Sequence, residues 1–298
     1  MRPVLVRLGF SVDDLGTAVE PFLRDVQPLL QAQHDWTLDL SGGGERGYFG
    51  PTVAVVAAAA VLRARQLGRQ ASLILPQQPP ALAAFCSFSR LVHLARGGAI
   101  TEAVEDLHAE NETSGLHQFH KMNWGGSTPL VRLIRRHLPT LGNDDEDILR
   151  TCYSEIAQNI DDHARSPIGG IICARFFSGT GEFRIAVADL GDGIGEVLQR
   201  SEPRTGIKVK SDRHALELVI RGGVSSKSRP NNMGQGISNL ALVAQGNGGV
   251  LRIFSRQAAA LVSADRQVVR ELPQCAFPGT LVSLSLKVAP APSTQPSE

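Results

Sequence analysis

Glu155, Asn159 and His163 stand at i, i+4 and i+8 within the segment Asp144 to Ala164. At helical spacing these side chains project along one ridge. A carboxylate and an amide one turn apart can hold a metal-bound phosphate. Asn159 would be a neutral Mg²⁺ ligand, and Glu155 a second ligand or a general base that polarises an attacking oxygen. The opposite face carries Ile148, Leu149, Cys152, Ile156 and Ile160, an apolar stripe suited to a core. Polar residues at this spacing are also those of an ordinary solvated helix face, so the assignment depends on the segments downstream.

Three of those segments bear on it. Phe183 to Ala188 reads as a buried strand that runs directly into Asp189-Leu190-Gly191-Asp192-Gly193-Ile194-Gly195. A carboxylate at the end of such a strand can accept a hydrogen bond from an adenine amino group, and glycines let a flat base approach the backbone. Further on, Asn232-Met233-Gly234-Gln235-Gly236-Ile237-Ser238-Asn239-Leu240 sets a glycine pair immediately before an apolar helix. Exposed N–H groups at that helix start form a phosphate cradle. Finally, Gly279-Thr280 opens the alternating strand Leu281 to Leu286, which sets a hydroxyl where it can support a bound base.

In this order the segments resemble the GHKL (Bergerat-type) ATPase superfamily, which includes gyrase, heat-shock chaperones, mismatch-repair ATPases and histidine kinases. The resemblance covers about half the chain. It matches Glu155-x-x-x-Asn159-x-x-x-His163-Ala164 to the N-box, Asp189 to Gly193 to the D-x-G-x-G box, Gly234 to Leu240 to the G-x-G-x-x-L box, and Gly279-Thr280 to the last box. It implies ATP and Mg²⁺ as ligands. Asp189 would contact adenine, Asn159 the metal, Gly234 and Gly236 the triphosphate, and Thr280 would support Asp189. Glu196 to Asn232 would be a mobile ATP lid whose Lys208, Lys210, Arg213, Lys227 and Arg229 can meet phosphate charge, Lys227 first among them. Arg165 reads as a solvated helix-end residue.

Among the subfamilies, the Glu-x-x-x-Asn-x-x-x-His-Ala pattern is most similar to serine kinases that act on anti-sigma-factor antagonists. Sensor histidine kinases usually carry Asn at the Glu155 position and need a phosphoacceptor histidine. His93, His117 and His120 lack the surroundings of one. Retention of Glu155 leaves three uses of ATP open: protein serine/threonine phosphorylation, hydrolysis that drives a conformational switch, and nucleotide sensing without turnover. A regulatory protein of the STAS type is the expected partner, with a homodimer as a further assembly.

The elements that would position these residues can be read from periodicity. Val4 to Leu8 reads as a strand, Ser11 to Gln31 as a helix, Trp36 to Leu40 as a strand, Pro51 to Gly68 as a helix, Ala71 to Leu75 as a strand and Ala81 to Arg96 as a helix. Short apolar strands separated by helices predict an α/β layer over residues 1–98. This order resembles the STAS fold, with Asp39-Leu40-Ser41 and the helix at Pro51 matching the region of its phosphorylated serine. The chain has Tyr48-Phe49-Gly50 where that family has its acceptor, and Thr52 is the nearest hydroxyl at the helix start. The departure argues against self-phosphorylation there. Residues 99–143 read as a connector with a short basic helix, Leu130 to Leu138, and 144–288 as a GHKL α/β sandwich, a mixed sheet covered by helices. Residues 289–298, rich in Pro and Ser, read as a disordered tail.

Composition agrees with a globular α/β protein of two domains. Of 298 residues, 42% are hydrophobic and 20% charged, enough apolar material for sizeable cores. Thirty basic against 29 acidic residues leave +1, which provides no general field for nucleic acid. Four scattered cysteines without a C-x-x-C pair point to reduced thiols rather than a disulfide framework or zinc site. The apolar run Val53 to Leu62 is too short to span a bilayer, and the expected compartment is the cytoplasm.

Overall fold

Three short parallel strands, β1 (Val4–Arg7), β2 (Trp36–Asp39) and β3 (Ala71–Ile74), pair in the order β1-β2-β3. Parallel neighbours need crossovers. Helix α1 (Val19–Leu30) provides the first and α2 (Pro51–Gln66) the second. The computed structural model describes residues 4–7, 19–44, 50–100, 114–119, 153, 156, 160, 164–177, 179–222 and 236–287.

Helix α2 begins with Pro51 at its first position, where a missing N–H costs nothing, and it is followed by Gly68 at φ +67°. Every residue from Pro51 to Val61 is buried. A helix apolar on all sides must be covered on all sides. One side meets α1 and the small sheet, and the other lies on a second, larger sheet. The run of alanines, Ala57 to Ala60, lets the backbone approach both neighbours closely.

The large sheet has seven strands in the order β4-β5-β6-β10-β7-β8-β9. They are β4 (Ser114–Phe119), β5 (Gly170–Phe177), β6 (Glu182–Asp189), β7 (Val250–Arg256), β8 (Ala258–Ser263), β9 (Gln267–Glu271) and β10 (Phe277–Lys287). Every neighbouring pair is antiparallel, whereas a mixed sheet was the expectation. Short turns join β5 to β6, β7 to β8 and β8 to β9, and such hairpins can only be antiparallel. The connector thus contributes an edge strand, β4, whose Gln118 amide donates to the Ile168 carbonyl at 2.8 Å. The basic helix expected at Leu130 to Leu138 and the tail 289–298 lie outside the described residues.

Both faces of the central strands of the large sheet are buried. On β6, Phe183, Ile185 and Val187 face a core shared with α5 (Gly193–Thr205), α6 (Asp212–Arg221) and α7 (Gly236–Gly246). Ala186 and Ala188 face the core that contains α1 and α2. The described part of residues 1–100 therefore shares one continuous apolar core with one face of the large sheet. Polar contacts cross the same boundary. The Thr52 hydroxyl donates to Ser283 Oγ at 3.0 Å inside the core, and the Arg175 guanidinium lies 4.4 Å from the centre of the Phe85 ring.

The helix expected over Ala81 to Arg96 is two helices, α3 (Pro80–Phe88) and α4 (Leu91–Ala95). Arg90, at φ +62°, breaks them apart and turns Leu91 and Leu94 into the core. Cys86, Cys173 and Cys275 are buried free thiols, and Cys152 lies outside the described residues. Among the described residues no helix is long and apolar enough to cross a membrane.

Candidate functional site

β6 ends on Asp189, whose residue is 2% exposed. Its Oδ1 accepts the N–H of Gly191 at 2.7 Å, and its carboxylate also accepts the main-chain N–H of Thr280. Burial pushes the carboxyl up to about 7, against the pull of those two donors, and nearby Asp192 adds to the rise. Gly279 enters β10 at φ +99°, and a Cβ on it would lie 2.7 Å from Asp189 Oδ1 and 2.7 Å from the Gly191 nitrogen. The two boxes read from sequence, Asp189 to Gly193 and Gly279-Thr280, thus meet at one end of adjacent strands. Thr280 makes this contact through its N–H.

The glycines of the turn are each required by a close neighbour. A Cβ on Gly191 would come within 2.6 Å of the Ala164 carbonyl carbon, and the next N–H, that of Asp192, donates to the Ala164 oxygen at 2.7 Å. Gly193 opens α5 at φ +77°, where a Cβ would lie 2.6 Å from Arg256 Cγ. The N–H of Ile194 donates to Ser255 Oγ at 2.9 Å, and that hydroxyl donates on to the Gly279 carbonyl at 3.3 Å. Ser255 therefore ties the start of α5 to the start of β10. Sequence reasoning missed it, since one serine at the end of an apolar strand has no distinguishing pattern. Asp192 pairs with Arg200, and exposed Arg165 stands 4.0 Å away.

Ala164 follows His163 in the chain, so the segment that carries the candidate catalytic residues ends against this turn. Tyr153, Ile156, Ile160 and Ala164 are buried in the core with α5, α6 and α7; Ile156 and Ile160 belong to the predicted apolar stripe, whose Ile148, Leu149 and Cys152 lie outside the described residues. Tyr153 and Ile156 are α-helical, whereas Ile160 and Ala164 lie in wider π-type turns, which occur chiefly as local bulges within helices. Glu155, Asn159 and His163 themselves lie outside the described residues, as do Lys227, Gly234 and Gln235.

Gly236 and Ile237 open α7, with Gly236 buried and Ile237 packed against the same core. A tight turn at Asn247 to Gly249, closed by the Gly249 N–H on the Ala244 carbonyl at 2.8 Å, sends the chain back into β7. Helix α7 packs over β7, β8 and β10.

The stretch expected as a mobile lid differs. Residues 193–205 and 212–221 are the packed helices α5 and α6, and Ala215, Leu216, Val219 and Ile220 of α6 are buried. Their i, i+1, i+4, i+5 spacing makes an apolar face. Ser211 caps α6 by accepting the His214 N–H at 3.2 Å. Lys208 and Lys210 are exposed just before it, and Arg213 pairs with Glu217 at 2.9 Å. The rest of the expected lid, 223–232, lies outside the described residues.

Chemically, this end of the sheet offers a buried carboxylate anchored by two main-chain donors, with glycine backbone on both sides in place of side chains. That suits a flat, hydrogen-bond-donating group. Among the described residues no three His, Cys, Asp or Glu side chains gather as a metal site, and the candidate Mg²⁺ ligands are outside them. No protein-family model and no curated protein matches the chain.

Proposed function

We propose that this chain binds Mg-ATP at the Asp189 turn as a GHKL-type regulatory protein and uses it as an ATPase or as a serine/threonine kinase acting on a partner protein. The observation that carries the reading is the cluster of Asp189, Gly191, Gly279 and Thr280, formed by two segments some 90 residues apart. Asp189 accepts the adenine amino group with lone pairs left over from the two main-chain N–H bonds. Gly191 and Gly279 let neighbouring backbone close directly on Asp189, which holds its carboxylate in place at the end of the sheet. The N–H groups at the start of α7, with those of Gly234 and Gln235 before it in the sequence, would receive the phosphates, and Lys227 would meet their charge.

Asn159 would hold the metal together with Glu155, which would also serve as the base for an attacking hydroxyl or water, and His163, four residues after Asn159, is assigned with them to the phosphate end of the site. Bound Mg²⁺ supplies neutralisation of the charge that develops on the phosphoryl group. Residues 1–98 are read as a STAS-like unit and 144–288 as the GHKL unit, in a cytoplasmic protein. Burial of Thr52, which is 0% exposed and bonded to Ser283, favours an acceptor on another chain over one at that position. A STAS-type regulatory protein fits that role, and a homodimer is compatible with it. The alternative is an ATP-dependent switch or a nucleotide-sensing scaffold without phosphotransfer.

Incubation with γ-labelled ATP and a STAS-type protein separates the readings. A kinase labels the partner, an ATP-driven switch releases free phosphate only, and a scaffold leaves ATP intact. Glu155→Ala abolishes the first two outcomes. Absence of any Mg-ATP-dependent rise in melting temperature contradicts all of them.

A further inference from the structure

On the face of the large sheet that carries α1 and α2, strands β7, β8 and β9 leave a cleft of about 240 Å³ beside the start of α1. Three guanidinium groups, from Arg252, Arg266 and Arg270, line it against one carboxylate, Glu20. Strand register explains the arrangement. Arg252, Leu261 and Val268 form one cross-strand row, and Phe254, Ala259 and Arg270 form the next. Directly paired residues project on the same face, so Arg252 and Arg270 occupy opposite corners of an apolar floor. Their Cα atoms lie two strands and two residues apart, roughly 12 Å from strand spacing and rise. Both residues line the cleft.

Charge fixes the sign of the ligand and the floor fixes its character. Arg252 is 9% exposed and Arg266 and Arg270 are exposed, so a charge gradient runs from solvent into the cleft. Planar guanidinium forks match phosphate and carboxylate oxygens two at a time. Glu20 already pairs with Arg270, which shows how an anion is received there. The cleft of about 240 Å³ has room for a small organic anion. Phe254, Leu261 and Val268 offer that volume an apolar surface.

We infer that this cleft is a binding site for a small phosphomonoester with an apolar remainder. The phosphate lies between Arg252 and Arg270 with Arg266 closing over it, displaces Glu20 from Arg270, and rests its apolar part on the floor. The site lies on the opposite face of the sheet from α5, α6 and α7, and does not depend on the nucleotide reading.

Calorimetric titration of phenyl phosphate into the full chain at fixed ionic strength, without nucleotide, tests it. Saturable binding is expected, weaker for inorganic phosphate and absent for phenol. Exposed Arg266→Gln and Arg270→Gln each weaken it about tenfold, as the loss of a charge-assisted bond does. Glu20→Gln tightens it, and Asp189→Asn leaves it unchanged. Lack of saturable binding, insensitivity to both arginine variants, or equal affinity for inorganic phosphate overturns the inference. Loss of binding in Asp189→Asn overturns it too, because the ligand would then occupy the turn at the end of β6.

Discussion

Gly279 meets Asp189 with no room for a side chain: a Cβ there would stand 2.7 Å from Oδ1 and closer still to the Asp189 carbonyl oxygen. The contact forces two strands from distant parts of the chain to deliver a carboxylate and a bare backbone to one point. Gly279 also sits at φ +99°, a region that favours glycine.

Gly279→Ala therefore combines backbone strain with a backbone collision. The expected loss is about 2–4 kcal/mol in urea unfolding, from a strained φ and overpacking together. Mg-ATP is expected to stabilise the surviving folded fraction less than it stabilises the parent. A variant of unchanged stability contradicts the packing described.

Asp189 makes stability depend on pH with a defined sign. Burial raises its carboxyl from 3.8 to about 7 in the fold, so between those values the folded chain holds a proton that the unfolded chain has released. This contribution is complete below about pH 4, falls as pH rises, and is gone above about pH 7. A separation of that size corresponds to at most roughly 4 kcal/mol. Asp189→Asn cannot titrate, so its stability relative to the parent is expected to improve between about pH 4.5 and 7. Urea midpoints of both proteins across that range check it, and parallel profiles contradict it.

The Thr52–Ser283 bond links α2 to β10 inside the core. Thr52→Val leaves the Ser283 hydroxyl without this partner and is expected to cost about 1–3 kcal/mol. Adding Ser283→Ala is expected to restore part of that loss, giving a favourable coupling in a double-mutant cycle. Additive losses would show that the bond contributes nothing.

Helix α2 has no free side to receive a larger residue. Ala58 is 0% exposed, and Ala58→Leu is expected to destabilise by about 1–3 kcal/mol or prevent folding. Arg65→Leu near the end of the same helix is not a control, since half-buried Arg65 donates to the carbonyls of Leu94 and Gly98. Gln66→Leu, at the solvent end, is the appropriate one and is expected to change stability little.

Local patterns were legible where a residue type answers a local need. Pro51 and Gly68 bracket α2, and the alternation of Phe183 to Ala188 marks β6, because caps and strand faces are set by near neighbours. The all-round apolar surface of α2 also carried a message that domain-by-domain reading passed over: such a helix needs a second cover, and β5 and β6 provide it. β4 was not legible, since Ser114 to Phe119 becomes a strand by pairing with β5 more than 50 residues later. The break at Arg90 was hidden for a different reason, as no glycine announces its left-handed backbone. In the site, Asp189, Gly191, Gly193 and Gly279 could be read because glycine spacing is distinctive. Ser255 could not, because its role comes from where β7 ends relative to α5 and β10.

The central claim is that Asp189 reads an adenine. Calorimetric titration of the full chain with ATP and with GTP, both in Mg²⁺, tests it most directly. Adenine presents an amino donor where guanine presents a carbonyl acceptor, and the ionised carboxylate, the form that prevails above about pH 8, can satisfy only the donor. The predicted result is saturable ATP binding, at least tenfold weaker GTP binding, and loss of the ATP signal in Asp189→Asn, a tenfold change being about 1.4 kcal/mol. Equal affinity for the two nucleotides, or ATP binding untouched by Asp189→Asn, contradicts it.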